Sequence, residues 1–122
     1  MSKPSVSLET VWQMGAALHG VDKSTGWGNP ALKVRGQLMV CVPTHRSAEP
    51  GSLMIRLDRN DREPLLAESP DLYYITDHYV DYDGVLVRLA QLNPELLSDL
   101  LAMAHRFVMR KSSRQRPNAK SR

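Results

Sequence analysis

The sequence predicts an α+β protein: a two-layer sandwich in which the N- and C-terminal helices pack on one face of a five-stranded antiparallel sheet. Three observations lead to this prediction. Apolar residues recur at helical spacing near both ends of the chain, they alternate with period two in its middle, and the alternating segments are joined by short connections. Short connections favour antiparallel neighbours, and helices on either side of the strands in sequence are expected to cover the same sheet face.

The first predicted element is a helix that begins after Ser7, whose hydroxyl can cap the first turn. Gly20 supplies its end. The apolar stripe of this helix consists of Leu8, Val11, Trp12, Gly15 and Leu18. Turn-forming residues follow at 24–30, and this segment contains one large aromatic residue, Trp27.

Five segments then have strand character, with alternating or continuous apolar residues: 31–35, 38–42, 53–57, 72–79 and 85–89. A turn at Gly36-Gln37 is predicted between the first two segments, and a short helix around Pro64 separates the third from the fourth. The fourth and fifth segments, with the polar turn between them, contain all four tyrosines of the chain.

The last predicted element is a long amphipathic helix that begins after Asn93, an N-cap followed by Pro94 at the first helical position. Its apolar stripe extends to Val108. Almost no apolar residues occur after Lys111, and such a composition does not offset the entropy lost on ordering. We therefore predict one domain over residues 1–111 and a disordered basic tail over residues 112–122.

The charge of the chain is divided unevenly. Residues 1–105 contain nine basic and all thirteen acidic residues, whereas residues 106–122 contain seven basic residues and no acidic one. The single cysteine excludes an intrachain disulfide, and the longest apolar run is too short to cross a bilayer. With no secretory signal recognisable, a cytoplasmic protein without a membrane partner is expected, and a monomer is favoured.

Four segments together carry a family resemblance: WGNPALKVRG at 27–36, REPLL at 62–66, YITDHY at 74–79 and VLVRL at 85–89. On these segments the chain resembles the MmcQ/YjbR family of small bacterial proteins, over roughly residues 7–110. The resemblance implies a frataxin-like α+β fold and, because the family is commonly labelled DNA-binding, a DNA partner. His19 stands where family members often have proline, and His105 where they often have tryptophan, and neither departure threatens the fold.

Strand alternation predicts a basic sheet face. If the apolar positions face the helices, an uncovered face carries four cations from three strands, which are Lys33, Arg35, Arg56 and Arg88. Met39, Cys41, Met54 and Leu86 are expected among them. Such a surface suits a phosphate-bearing partner, and the alternative is a solvated face whose arginines lie along apolar side chains.

The basic tail contributes Arg110, Lys111, Arg114 and Arg116. A flexible polycation binds nucleic acid without sequence preference and loses affinity steeply with salt, although the same composition also serves solubility. We therefore expect a non-enzymatic DNA-binding protein whose binding is weak and salt-sensitive.

A second candidate site consists of Trp27, Tyr74, His78 and Tyr79, a contact surface for a protein or a small ligand in an adaptor. The alternatives are a Trp27 buried in the core and a structural hydrogen-bond cluster between His78 and a tyrosine. The nearby carboxylates do not have the spacing of a calcium loop, and Cys41 is predicted to be a buried hydrophobic residue. We expect no catalytic residue, no metal and no cofactor.

Overall fold

The computed structural model describes residues 6–26 and 28–115, with side chains described up to residue 111. Its helices are α1 (Leu8–Ala16), α2 (Arg59–Glu68) and α3 (Pro94–Gln115), and a short 3-10 turn covers Leu89–Gln91. Its strands are β1 (Val21–Gly26), β2 (Asn29–Val34), β3 (Gln37–Cys41), β4 (Ser52–Arg56), β5 (Tyr73–Tyr74) and β6 (Gly84–Arg88). All strand pairs are antiparallel, in the order β1-β2-β3-β4-β6-β5. The α+β class and the antiparallel sheet are confirmed.

The predicted count of five strands is wrong, because β1 is a sixth strand. It pairs with β2 from Val21 opposite Val34 to Gly26 opposite Asn29. Only Val21 of β1 is buried, so this edge strand lacks the apolar alternation by which the other strands were predicted. The predicted strand over residues 72–79 is also too long, since β5 contains Tyr73 and Tyr74 alone.

The turn between β2 and β3 consists of Arg35 and Gly36 and lies one residue earlier than predicted. Both residues have positive φ, 54° and 78°, as a two-residue hairpin turn of type I′ requires. Between Leu32 and Lys33 the pairing of β2 with β3 shifts by one residue, a β-bulge. The bulge turns Met39 to the helix side, contrary to the predicted alternation.

Helices α1 and α3 pack on the same face of the sheet, as predicted. Val11 of α1 and Leu101 of α3 join Leu32 of β2 in one buried cluster, and a Cβ at Gly15 would overlap Leu32. The predicted caps of α1 and α3 form. Ser7 Oγ accepts from the Thr10 amide at 3.2 Å, and Asn93 Oδ1 accepts from the Leu96 amide at 2.9 Å.

His19 and His105 contact each other. The Nε2 atom of His105 on α3 lies 2.8 Å from the carbonyl oxygen of His19, in the turn after α1. A hydrogen bond from the imidazole therefore joins the turn after the first helix to the last helix.

The sheet face opposite the helices is covered, so the prediction of an uncovered face is wrong. Two loops, residues 42–51 and 75–83, lie over it and close a second apolar cluster, which comprises Ala31, Cys41, Met54, Tyr79 and Leu86. Tyr79 is the centre of the cover, and it is itself 3% exposed. The central strands are apolar on both faces, which requires a cover on each side.

Arg62 of α2 holds the 75–83 loop in place. Its Nη2 donates to the carbonyl oxygen of Val80 at 2.8 Å, and its Nη1 donates to those of Tyr82 at 3.1 Å and Gly84 at 3.0 Å. Arg62 is 7% exposed, so these carbonyls take the place of the water that a guanidinium would otherwise bind. A single buried side chain thus fixes where the loop leaves the sheet.

Helix α3 continues to Gln115 and so includes four residues of the segment predicted to be disordered. Residues 116–122 lie outside the described residues. In the described part of the chain, no helix combines the length and the apolar character that a membrane span needs.

Candidate functional site

The four cations predicted to share one sheet face do not form one patch. Arg56 on β4 is opposite Gly84, and Arg88 on β6 is opposite Ser52, so the two arginines lie at opposite ends of neighbouring strands. Four residues of extended chain separate them by about 13 Å along the strands. Lys33 is two strands away from Arg56, opposite Asp22.

Arg88 is engaged by a carboxylate. Its Nη2 and Nε atoms lie 2.8 and 2.9 Å from the two carboxylate oxygens of Glu49, and its guanidinium lies 4.4 Å from the centre of the Tyr74 ring. Hydrogen bonding between them raises the pKa of Arg88 and lowers the pKa of Glu49. Arg88 also donates to the carbonyl oxygens of Pro70 and Asp71, so it ties two loops to the end of β6. The guanidinium of Arg88 is therefore already bonded by groups of the protein itself.

A different set of cations meets at one end of the sheet, around Asp83. Arg59 Nε lies 2.9 Å from Asp83 Oδ1, and Lys111 Nζ lies 3.7 Å from Asp83 Oδ2. Arg56 Nε donates to the carbonyl oxygen of Asp83 at 3.0 Å. Three elements, β4, α2 and α3, therefore direct basic side chains to one residue.

Two more cations belong to the same end. Arg110 lines a hollow of about 120 Å³ together with Asp83, Phe107 and Lys111. Arg35 lies in the β2–β3 turn, which strand register places at this end of the sheet, beyond Leu38, whose carbonyl oxygen accepts from Arg56 at 3.3 Å. We call this set the basic end, and its members are Arg35, Arg56, Arg59, Arg110 and Lys111.

The basic end carries an excess of positive charge. Its five cations are accompanied by three carboxylates, Asp58, Asp81 and Asp83, which leaves two positive charges in excess. Asp58 is further occupied as the N-cap of α2, where its side chain accepts from the Asn60 amide at 2.9 Å. In the sequence, four more basic residues and no acidic one follow Lys111.

A second feature is a cleft of about 280 Å³ in the cover of the opposite sheet face. It is lined by Thr44 from the 42–51 loop and by His78, Tyr79 and Tyr82 from the 75–83 loop. We call it the aromatic cleft. Arg56 joins it to the basic end, because its guanidinium lies 5.0 Å from the centre of the Tyr82 ring.

His45 supports the cleft from behind. Its ring is parallel to that of His78, with centroids 3.6 Å apart and planes 7° apart. The His45 amide donates to the hydroxyl of Tyr79 at 3.1 Å, and both imidazoles meet the Tyr79 ring edge to face. Hydroxyls of Ser47 and Thr76, 2.9 Å apart, join the two loops beside this stack.

The tautomer of His45 follows from its partners. The Ser47 amide donates to Nδ1 at 3.1 Å, so Nδ1 is an acceptor and the neutral ring carries its proton on Nε2. Desolvation, followed by the nearby charges of His78 and Arg46, lowers the pKa of His45 below its ordinary value. His45 is therefore neutral at physiological pH.

The stacked pair is not arranged for metal binding. Parallel imidazoles directly above one another do not direct their nitrogen lone pairs at a common point, as shared coordination requires. Over the described ranges, no group of three or more His, Cys, Asp or Glu could hold a metal ion. Cys41 is fully buried, as predicted, and burial raises the pKa of its thiol to about 12, so it is not a nucleophile at neutral pH.

The second predicted site is only partly assembled. His78 and Tyr79 line the aromatic cleft, and Trp27 lies outside the described residues. Tyr74 is not among the lining residues: its hydroxyl lies 2.5 Å from Ser52 Oγ and accepts from the Glu49 amide at 2.7 Å. Sequence reasoning missed Tyr82, which lines the cleft, and the role of His45, whose partner His78 is 33 positions further along.

Comparison with known proteins identifies a fold but no activity. No family model matches the chain, and no curated protein matches it. Among solved structures, the fold is similar to that of the Deinococcus radiodurans protein DR2400, which carries the domain DUF419. The TM-score is 0.71 over 92% of this chain and 85% of that chain, at 18% sequence identity. DUF419 is related to the MmcQ/YjbR type of fold and has no known function.

Proposed function

We propose that the chain is a non-enzymatic nucleic-acid-binding protein of the MmcQ/YjbR type, with a frataxin-like fold, and that it contacts phosphates through the basic end. One observation carries the proposal: Arg56, Arg59 and Lys111 converge on Asp83 from three separate elements. The four sequence segments of the family resemblance and the likeness to a DUF419 protein support the family.

Phosphates can compete for the cations of the basic end. The side chains of Arg59 and Lys111 are 50% and 38% exposed, and exposed ion pairs are worth only about 0–1 kcal/mol each. Their attraction to Asp83 therefore costs little to exchange for contacts with a phosphate. Because such contacts release condensed counterions, binding is weak, sequence-tolerant and sensitive to salt.

The proposal reassigns the predicted binding residues. Arg35, Arg56, Arg110 and Lys111 stay in the interface as members of the basic end, and Arg59 is added to them. Arg114 and Arg116 follow in sequence and remain predicted phosphate contacts. Lys33 lies outside the basic end. Arg88 is excluded because it lies at the opposite end of the strands, where Glu49 and the carbonyl oxygens of Pro70 and Asp71 hold its guanidinium.

The test is a salt titration of binding to duplex and single-stranded DNA. The double variant Arg59→Gln/Arg110→Gln removes two exposed charges of the basic end, and Lys23→Gln/Lys33→Gln removes two charges from β1 and β2 as the matched control. We expect the first variant to lower affinity and to reduce the slope of log Kd against log salt by about 2, or about 1 per phosphate contact. The control should keep the wild-type slope. Equal slopes in both variants would locate the interface elsewhere.

A second candidate function is an adaptor that binds a protein or a small ligand. The observation that favours it is the aromatic cleft, which contains His78 and Tyr79. An NMR screen with small aromatic compounds tests it. Shifts confined to the two loops, in a protein that binds no nucleic acid at low salt, would favour the adaptor over the first proposal.

A further inference from the structure

We propose that the aromatic cleft takes one unpaired nucleobase of a single strand whose phosphates lie on the basic end. The inference rests on the proposed function and adds to it the kind of nucleic acid and the position of a base. Its starting point is a contact: Tyr82 lines the cleft, and the guanidinium of Arg56 lies over its ring. The next residue, Asp83, is the one on which the basic end converges.

This arrangement places an aromatic site and a cationic site side by side. Consecutive residues are about 3.8 Å apart at their Cα atoms, so the wall of the cleft and the centre of the basic end are neighbours. A nucleotide has the same two parts, a flat heterocycle and an attached phosphate. A strand that lies along the basic end therefore brings its bases to the mouth of the cleft.

The lining of the cleft suits a heterocyclic base. Three of its four lining residues are aromatic, the fourth is Thr44 with a hydroxyl, and none is acidic. Single-strand binders stack bases on such rings and bond base edges with hydroxyl and imidazole groups. The volume of about 280 Å³ is large enough to take one base.

The cleft is held in shape by contacts outside it. His78 is supported by the parallel ring of His45, and Tyr79 accepts a hydrogen bond from the His45 amide. Ser47 and Thr76 join the two loops. Since these side chains are already ordered, a base entering the cleft loses less affinity to the ordering of the site. A duplex keeps its bases paired and stacked, so it can offer only phosphates to this surface.

The test compares two strands that differ only in their bases. Fluorescence anisotropy measures binding of the full chain to poly-dT and to an abasic strand of equal length, at one low salt concentration. The cleft variant is His78→Ala, which changes an exposed side chain, and the matched control is His19→Ala, an exposed histidine whose contact to His105 is made by its backbone.

We expect wild-type protein to bind poly-dT more tightly than the abasic strand. His78→Ala should lower affinity for poly-dT roughly 5- to 150-fold, the range for loss of one base–aromatic stack, and leave the abasic strand unaffected. His19→Ala should change neither. Equal affinity of wild-type protein for the two strands, or equal weakening of both by His78→Ala, overturns the inference.

Two further arms separate the possible failures. Arg59→Gln/Arg110→Gln should weaken binding to both strands. If wild-type protein binds both strands equally and with salt sensitivity, the proposed function holds and the cleft takes no part in it. If thymidine monophosphate displaces poly-dT at a concentration similar to that of the strand, the cleft binds free nucleotides. That result would overturn the inference that it takes a base of a single strand. In wild-type protein the His78 ring protons should shift with poly-dT and not with the abasic strand, a readout that needs no variant to fold.

Discussion

The imidazoles of His45 and His78 are stacked in parallel with their centroids 3.6 Å apart, although the two residues belong to different loops. Desolvation and the nearby charges of His78 and Arg46 disfavour the protonated form of His45 in this position. The stack therefore joins the 42–51 loop to the 75–83 loop most firmly when His45 is neutral. We therefore expect the cover of the second sheet face to be less stable in mild acid.

The first prediction concerns stability in mild acid. Folding lowers the pKa of His45, so the unfolded chain binds more protons than the folded chain between the lowered pKa and the ordinary value of 6.5. The stability contribution of the neutral ring is complete above that ordinary value and decreases as the pH falls through it towards the lowered pKa.

Urea unfolding at about pH 7.5 and about pH 5.5, on either side of the ordinary histidine value, measures this effect. The urea concentration at the unfolding midpoint of wild-type protein should be lower at the lower pH, and the difference should be smaller in His45→Gln. His105→Gln is the control for histidines outside the stack. An equal drop in wild-type protein and His45→Gln would show that the stack does not cause the pH dependence.

The second prediction concerns Arg62. Its guanidinium bonds three carbonyl oxygens of the 80–84 segment from a position that is 7% exposed. Arg62→Met preserves much of the apolar stem but removes the donor of the Val80 and Gly84 carbonyl oxygens, whereas the Tyr82 carbonyl oxygen keeps the Gly84 amide at 2.9 Å. We expect this change to cost about 2–3 kcal/mol of unfolding free energy. Arg59→Met, on the same helix but half exposed, should cost less than about 1 kcal/mol. Similar losses for both variants in urea unfolding would contradict a special role for Arg62.

The third prediction concerns the hydroxyl of Tyr74. It lies 2.5 Å from Ser52 Oγ, and Ser52 is 4% exposed. It also accepts from the Glu49 amide. Tyr74→Phe should therefore lower the unfolding free energy by about 1–2 kcal/mol, since a buried hydroxyl loses its partner. Tyr74→Phe/Ser52→Ala removes both members of the pair, and we expect it to recover part of the loss. Chemical denaturation of the two variants checks this, and no recovery would mean that other contacts dominate.

The fourth prediction concerns Arg35 in the β2–β3 turn. Its φ of 54° is a conformation that asparagine adopts more readily than arginine. Arg35→Asn should raise stability by about 0.5 kcal/mol and, under the proposed function, reduce the salt slope of DNA binding by about 1. Arg46→Asn, at an exposed position outside the basic end, should do neither. Higher stability with unchanged DNA binding would remove Arg35 from the interface and keep the conformational argument.

The helices and their packing followed from local signals. Ser7 and Asn93 cap their helices through contacts three residues away, and the apolar stripes of α1 and α3 need only a period to be recognised. Strand β1 was not predicted because an exposed edge strand does not need alternating apolar residues. Met39 was assigned to the wrong face because a bulge shifts the alternation and has no recognisable sequence pattern.

The candidate site was harder to predict because its contacts are long-range. Arg56, Arg59 and Lys111 come from separate parts of the chain, and only the folded backbone brings them to Asp83. The same holds for His45 and His78. One signal was available: β3 and β4 are apolar on both faces, which requires a cover, and the tyrosine-rich loop was a candidate for it.

The contact from Arg62 to Gly84 has a consequence for association between molecules. Strand β5 pairs with β6 only at Val87 and Leu86, so among the described residues no strand lies beside the outer edge of β6 at Gly84. The guanidinium of Arg62 occupies that position and takes up the carbonyl oxygen that an added strand would bond. A side chain here closes the edge of a sheet. We therefore expect loss of Arg62 to leave this part of the edge open to pairing with another chain and to favour self-association.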